Sequence, residues 1–353
     1  MALIPTTILT GFLGAGKTTL LNRILQENHG HKIAVIENEF GPENIDNEIL
    51  VQDSTEQIVE MNNGCICCTV RGDLIVALTG LAQKRAAGEL QFDRVVIETT
   101  GLANPGPVAQ TFFMDEEVGI HYILDAIITV VDAFHGMQQL DQHEEAQRQV
   151  GFADRILLSK ADLVSAAQIQ ELRTRLKRIN PRAPIGQVDF GRTPLAEILD
   201  IRGFNLNEKL EIDPDFLAVD QVHEAADDHA CTPDCGHDHG HGNHHTHNHH
   251  HAHHSDDISA FVFTSARAFN RDRLDEFLGS IVQVFGPRML RYKGVLFMEG
   301  ADRKVVFQGV HQLMGSDVGG VWPADMPRGS KIVFIGKNLP KEVFIQGLEQ
   351  CLV

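Results

Sequence analysis

Between an apolar run, "TTILT" (6–10), and a helical pattern of Leu20, Leu21, Ile24 and Leu25 lies the octapeptide "GFLGAGKT", Gly11–Thr18. A strand that turns through glycines and restarts as a helix sets a row of backbone N–H groups and a helix N-terminus at one edge of a sheet. The pattern G-x-x-x-x-G-K-[ST] in that setting is a phosphate cradle. The backbone of Gly11, Gly14, Ala15, Gly16 and Thr19 is expected to wrap the phosphates. Lys17 reaches the β- and γ-phosphates, and the Thr18 hydroxyl holds Mg²⁺. A chance glycine-rich turn is the bland alternative, and it would not come with both a strand and a helix.

Four more apolar runs follow, "KIAVIEN" (32–38), "DRVVIET" (93–99), "AIITVVD" (126–132) and "DRILLSK" (154–160), with helical patterns between them and, after the last, Ile169, Leu172 and Leu176. Continuous Val/Ile/Leu runs suit parallel strands buried on both faces, so the expectation is α/β with a doubly wound, mostly parallel sheet. The pattern breaks at His223–His254, which holds 13 of the 19 histidines and almost no apolar residue. Such a segment cannot bury enough surface to fold alone. It reads as a disordered linker, and its internal position and mixed composition argue against a purification tag. From about 257 the pattern returns as "ISAFVFTS", a helix "RDRLDEFLGSIVQVF", three strands "MLRYKGVLFME", "RKVVFQGVHQLM" and "SKIVFIG", and a closing helix. The predicted domains are a P-loop domain at 1–215, a His-rich metal-binding linker at 216–256 and a smaller α+β domain at 257–353.

A formal net charge of −18 argues against a nucleic-acid partner. No apolar run is long enough to span a membrane, and the N-terminus lacks a basic leader and a cleavage site. The expected location is the cytoplasm, where thiols stay reduced and clustered cysteines point to metal or redox chemistry.

Two further segments bear on the nucleotide. Glu98 closes the run "VVIETTG" and suits a water-mediated Mg²⁺ contact, with Gly101 beyond it positioned to sense a γ-phosphate through its backbone N–H. The alternative is an ordinary acidic strand end. In "LLSKAD", Ser159, Lys160 and Asp162 resemble the guanine-reading N/T-K-x-D of GTPases. Asp162 would accept from the base N1–H and N2–H₂, and the Lys160 stem would lie over the ring. Serine at 159 departs from the commoner asparagine there. In this order the motifs favour GTP over ATP, with Lys17, Thr18 and Glu98 as the catalytic set.

Three of the six cysteines, Cys65, Cys67 and Cys68, fall in "GCICC" between the P-loop strand and the Glu98 strand. A soft divalent ion can take two or three such thiolates and leave one position for another donor. Zn²⁺ leads, followed by Cu⁺, Co²⁺ and Ni²⁺. A redox C-x-x-C would use only two of the thiols and needs no nucleotide site beside it. The tract residues His237, His239, His241, His244, His245 and His247, with Cys231 and Cys235, would hold several ions weakly. Reservoir and mere spacer are both open readings of that tract.

The combination "GFLGAGKTTLLN", "IENEFG", "GCICC", "ETTGLANPGPV" and "LLSKAD", with "LRYKGVLF" and "VFQGVHQLM" in the tail, resembles the CobW-like metallochaperone GTPases of the SIMIBI class. The resemblance covers nearly the whole chain except the linker. It implies a GTP phosphohydrolase, cofactors Mg²⁺ and Zn²⁺ (or Co²⁺ or Ni²⁺), delivery of the ion to a client metalloprotein, and nucleotide-dependent homodimers. It also implies Cys65, Cys67, Cys68 and Glu37 as ligands; Glu39 is a neighbour not assigned a role. Cys351 reads instead as a small apolar filler. Leu102, not glutamine, follows Gly101, so no residue that orients the attacking water is identified and slow intrinsic turnover is expected. The competing readings are an ATP-dependent P-loop kinase, which leaves "GCICC" without a purpose, and a non-catalytic metal buffer, which wastes an intact P-loop.

Overall fold

Alternation of side chains along buried strands sets the architecture. In strand β1 (Ile4–Gly11), Ile8 packs to one side of the sheet and Leu9 to the other; in β4 (Arg94–Glu98), Val95 and Ile97 oppose Val96 in the same way. The computed structural model describes residues 3–27, 30–37, 58–60, 69–204, 256–323 and 327–353. With β2 (Ile33–Glu37), β3 (Ile58–Glu60), β5 (Tyr122–Asp132), β6 (Arg155–Ser159) and β7 (Ile185–Gln187), these strands form one parallel seven-stranded sheet in the order β3-β2-β4-β1-β5-β6-β7.

Helix α1 (Lys17–Gln26) covers one face through Leu20, Leu21 and Ile24, all fully buried, each contributing roughly 1.5–3 kcal/mol of burial. The opposite face carries α2 (Thr69–Ala86), α3 (Pro105–Met114), α6 (Glu144–Phe152) and α7 (Ala166–Ile179). The short α4 (Glu116–His121) and α5 (Gly136–Gln142) complete the connections. Caps fix where the helices begin: Asn104 accepts from the Gly106 amide before α3, and Ser165 and Gln168 form a reciprocal capping box before α7.

The C-terminal unit is an antiparallel five-stranded sheet, order β11-β10-β9-β12-β8, made from β8 (Ile258–Ser265), β9 (Met289–Leu296), β10 (Arg303–Val310), β11 (Leu313–Val321) and β12 (Ser330–Lys337). Helices α8 (Arg271–Phe285) and α9 (Lys341–Gln350) close one face, through Leu274, Leu278, Phe344 and Leu348. Cys351 is buried in that same core, as a small apolar filler would be.

The other face of this sheet lies on α6 and α7, and its Ile258, Leu290, Val333 and Ile335 join the core of the first domain. A buried charge cluster pins the contact. Asp154 receives Arg291 at 2.5 and 2.8 Å and Lys293 at 3.0 Å, while its Oδ2 also accepts from the Ile127 amide at 3.0 Å. The Arg291 guanidinium lies 4.1 Å from the Phe204 ring centroid.

The structure corrects several boundaries. Strand β5 starts four residues before the expected Ala126, because Tyr122 and Leu124 are buried on the way in. Strand β6 stops at Ser159, since Lys160 turns to a left-handed φ of 54°. "RKVVFQGVHQLM" is not one strand: His311, at φ 53°, turns the chain and β11 pairs back with Val310 opposite Leu313. The three-residue strands β3 and β7 had no legible run. Of the expected linker, 216–256, residues 216–255 lie outside the described residues, as do 205–215 of the expected P-loop domain; Asp256 is described and accepts from Arg175 at 2.6 Å.

Removing one partner of a buried pair leaves uncompensated charge, whereas exposed pairs contribute little. Asp154→Asn is therefore expected to cost about 3–5 kcal/mol in urea unfolding. Lys337→Ala, which breaks a one-third-exposed pair with Glu144 at the same interface, should cost under about 1 kcal/mol. Equal losses would contradict the assignment of Asp154 as the pin.

Candidate functional site

At the carboxyl edge of the parallel sheet, β1 runs into the P-loop at Gly11, whose φ is 146°. A Cβ there would lie 2.3 Å from the Val130 carbonyl oxygen, so only glycine lets the chain leave the strand at this point. The loop then closes on itself. The Phe12 carbonyl accepts from the Ala15 amide at 3.1 Å and from Lys17 Nζ at 3.4 Å. No acidic residue occupies the first turn of α1, which leaves the positive helix end to an anion.

Strand β4 delivers the neighbouring acid. Glu98 is paired in register with Leu9 of β1 and with Glu37 of β2. Its Oε1 accepts from the Thr18 hydroxyl at 2.8 Å, and the residue is only 8% exposed. A hydroxyl and a carboxylate together, both hard oxygen donors, fit Mg²⁺. Thr99 reinforces the junction: its amide donates to the Leu9 carbonyl at 2.9 Å, and its hydroxyl to Thr10 Oγ1 at 2.9 Å. Two residues on, Gly101 packs so tightly on the P-loop that a Cβ would come within 2.6 Å of the Leu13 amide nitrogen.

The "LLSKAD" segment lies on the other side of the P-loop. Ser159 is buried and donates its hydroxyl to the Ala15 carbonyl at 2.7 Å. Lys160 Nζ bridges the Gly14 carbonyl (2.8 Å) and Asp132 Oδ2 (2.7 Å). Asp162 is exposed in the short turn Ala161–Leu163. Serine here thus braces the cradle, and Lys160 is tethered above it.

Asp132, at the end of β5, was not singled out from sequence, although it carries the same signal as Glu98: an acid closing a buried run. Burial alone would raise its pKa. Hydrogen bonds from Lys160, from the His135 ring and from the His135 and Phe134 amides outweigh that and hold the carboxyl below its ordinary range.

Of the expected zinc ligands, Glu37 alone lies among the described residues. Glu37 closes β2, half-buried, next to Glu98 on one flank and in register with Glu60 of β3 on the other. Glu60 and Thr69, the first residue of α2, bracket the segment containing Cys65, Cys67 and Cys68, which lies outside the described residues, as do Glu39 and the histidine tract. Among the described residues no group of three or more His, Cys, Asp or Glu could hold a metal ion. None of their helices is long and apolar enough to cross a membrane.

Known proteins share this arrangement. The nucleotide-binding-domain profile of the CobW/HypB/UreG family matches residues 5–187, and that of the cobalamin synthesis protein cobW C-terminal domain matches residues 258–352. The chain is 40% identical to the zinc chaperone YjiA of Escherichia coli (strain K12), over 96% of each protein. It is 32% identical to the zinc chaperone CobW of Pseudomonas aeruginosa, over 100% of this chain and 92% of that one. Similarity to the zinc-regulated GTPase metalloprotein activator 1 of Dictyostelium discoideum is 30% identity over 99% and 80% of the two chains. The crystal structure of Zn(II)-bound YjiA GTPase from E. coli superposes with a TM-score of 0.76 at 35% identity, each chain fully covered.

Asp132 offers a test by pH. Its depressed pKa means that it stabilises the fold above its unfolded value, near 3.9, and that this contribution disappears as pH falls through the lower folded value. Asp132→Asn should therefore flatten the acid limb of the stability–pH curve below about pH 4. An acid limb identical to wild type would count against the bridge to Lys160.

Proposed function

The chain belongs to the CobW/HypB/UreG family and carries the cobW C-terminal domain. From this premise we propose that it is a GTP-hydrolysing zinc chaperone, in which the nucleotide state controls the hold on a zinc cargo bound by Cys65, Cys67, Cys68 and Glu37. One observation carries the reading. Glu37 is the register neighbour of Glu98, and Glu60, which ends β3 before the cysteine-bearing connection in sequence, is the register neighbour of Glu37; β3 lies three strand spacings, or about 14 Å, from β1.

The roles of the chain's own groups follow. Backbone N–H groups of Gly14–Thr19 and the start of α1 bind the phosphates, and Lys17 neutralises charge that moves onto them. Thr18 and Glu98 would hold Mg²⁺, which when bound offsets charge on the β- and γ-phosphate oxygens. Glu98 and Glu37 end adjacent parallel strands, so a displacement of Glu98 when the γ-phosphate leaves is felt at Glu37 without a long relay. Asp162 and the Lys160 stem are proposed to read guanine. Delivery to a client metalloprotein is part of the same proposal, supported by the names of the relatives, zinc chaperone and GTPase metalloprotein activator; nucleotide-dependent dimers are proposed with it.

Turnover measurements test it. Wild type should hydrolyse GTP in preference to ATP, at a rate that changes on adding Zn²⁺. The triple change Cys65→Ala, Cys67→Ala, Cys68→Ala should lose the response to Zn²⁺. Lys17→Ala should lower kcat about a hundredfold or more, with or without metal. A triple variant that answers Zn²⁺ as wild type does would overturn the cysteine assignment, and ATP preference with a small acceptor would favour a kinase.

A further inference from the structure

Helix α6 carries a glutamine that neither the phosphate cradle nor the guanine-reading segment accounts for. Gln149 is 1% exposed, and its side-chain amide donates to the carbonyls of Gly101 at 3.0 Å and Ala103 at 3.1 Å. Its own backbone carbonyl accepts from Thr129 Oγ1 at 2.8 Å, which roots this point of α6 in strand β5. The two carbonyls it grips belong to the turn joining β4 to α3, where no strand or helix ladder holds them. That turn is fastened at its start by Thr99 on β1 and at its end by the Asn104 cap; its middle is closed by the Ala103 amide donating to the Thr100 carbonyl at 3.1 Å and is gripped from outside by Gln149.

A buried glutamine spanning 46–48 residues of sequence to reach two carbonyls of one turn fixes peptide orientation, not merely packing. Peptide planes are rigid, so a Gly101 carbonyl turned toward α6 sends the Leu102 N–H the opposite way. The turn also packs on the P-loop, where a Cβ added at Gly101 would come within 2.6 Å of Leu13. We infer that Gln149 is a positioning residue for triphosphate recognition: it holds the turn after Glu98 with its amides at the P-loop edge where a γ-phosphate arrives, and so sets the preference for GTP over GDP. This rests on the reading of Gly11–Thr18 as the GTP site.

GDP ends at the β-phosphate and has nothing for this turn to meet, so the two nucleotides separate the roles. In the full-length protein with Mg²⁺, Gln149→Met keeps an unbranched side chain of similar length and removes both donors. Titration with a fluorescent GDP, and competition by a non-hydrolysable GTP analogue, should show GDP affinity within about twofold of wild type and analogue affinity lowered about tenfold, the effect of losing a pair of hydrogen bonds. Parallel losses for both nucleotides, or an unchanged ratio, would overturn the inference and leave Gln149 as structural support. Wild-type hydrogen exchange provides a second measurement that needs no variant. The amides of residues 101 and 102 should be protected more by the analogue than by GDP, and equal protection would also overturn it. Lys17→Ala separates the two levels: if it leaves GDP affinity unchanged, the nucleotide-site reading itself fails.

Discussion

Strand β4 lies between β1 and β2, and the chemistry of the molecule depends on that insertion. Because all three run parallel, their carboxyl ends come out on one edge. The P-loop leaves β1, Glu98 ends β4 and Glu37 ends β2, with Leu9, Glu98 and Glu37 linked by the register of the ladder. Chain order also reverses around β1, which has β4 on one side and β5 on the other, and such crevices at the carboxyl edge are where α/β sheets bind ligands. These three strands are buried along nearly their whole length, so packing on both faces holds their ends together. In the proposed function, these adjacent strand termini are the short mechanical path from the phosphate cradle to Glu37.

Some of this was legible in the sequence because it is local. The octapeptide Gly11–Thr18, with an apolar run before it and Leu20, Leu21 and Ile24 after it, specifies strand, turn and helix within a few residues. Glu98 could be found because it closes a buried run. The braces could not. Ser159 reads as part of a base-recognition tetrapeptide, yet its hydroxyl is spent on Ala15, far earlier in the chain. Gln149 reads as a polar residue on an amphipathic helix, and its partners lie across a loop whose shape no spacing rule encodes. Strand β3, with three residues, is too short to show a period, although it puts Glu60, which precedes the cysteine segment in sequence, in register with Glu37.

The second domain is more than an appendage. Its sheet shares the apolar core of α6 and α7, and Arg291 and Lys293 reach a buried Asp154 that also receives the Ile127 amide of β5. The same helix α6 that supports the turn at Gly101 through Gln149 bears the C-terminal sheet through Gly151, where a Cβ would meet Leu290 at 2.9 Å. Burial pushes the pKa of His311, stacked edge-on against Phe152 at this seam, below its usual range, which favours the neutral imidazole. A rearrangement of the turn at Gly101 therefore meets a packed, charge-pinned interface instead of a free hinge.

The central claim is that zinc and the γ-phosphate are thermodynamically linked, and linkage requires each to alter the other's affinity by one common factor. Its most direct measurement is the zinc dissociation constant of the full-length protein, determined by competition with a metal indicator, with GDP bound and with a non-hydrolysable GTP analogue bound. The account predicts two different constants, whose ratio equals the change that zinc produces in the relative affinity for the two nucleotides. Identical zinc affinity in both nucleotide states would contradict it.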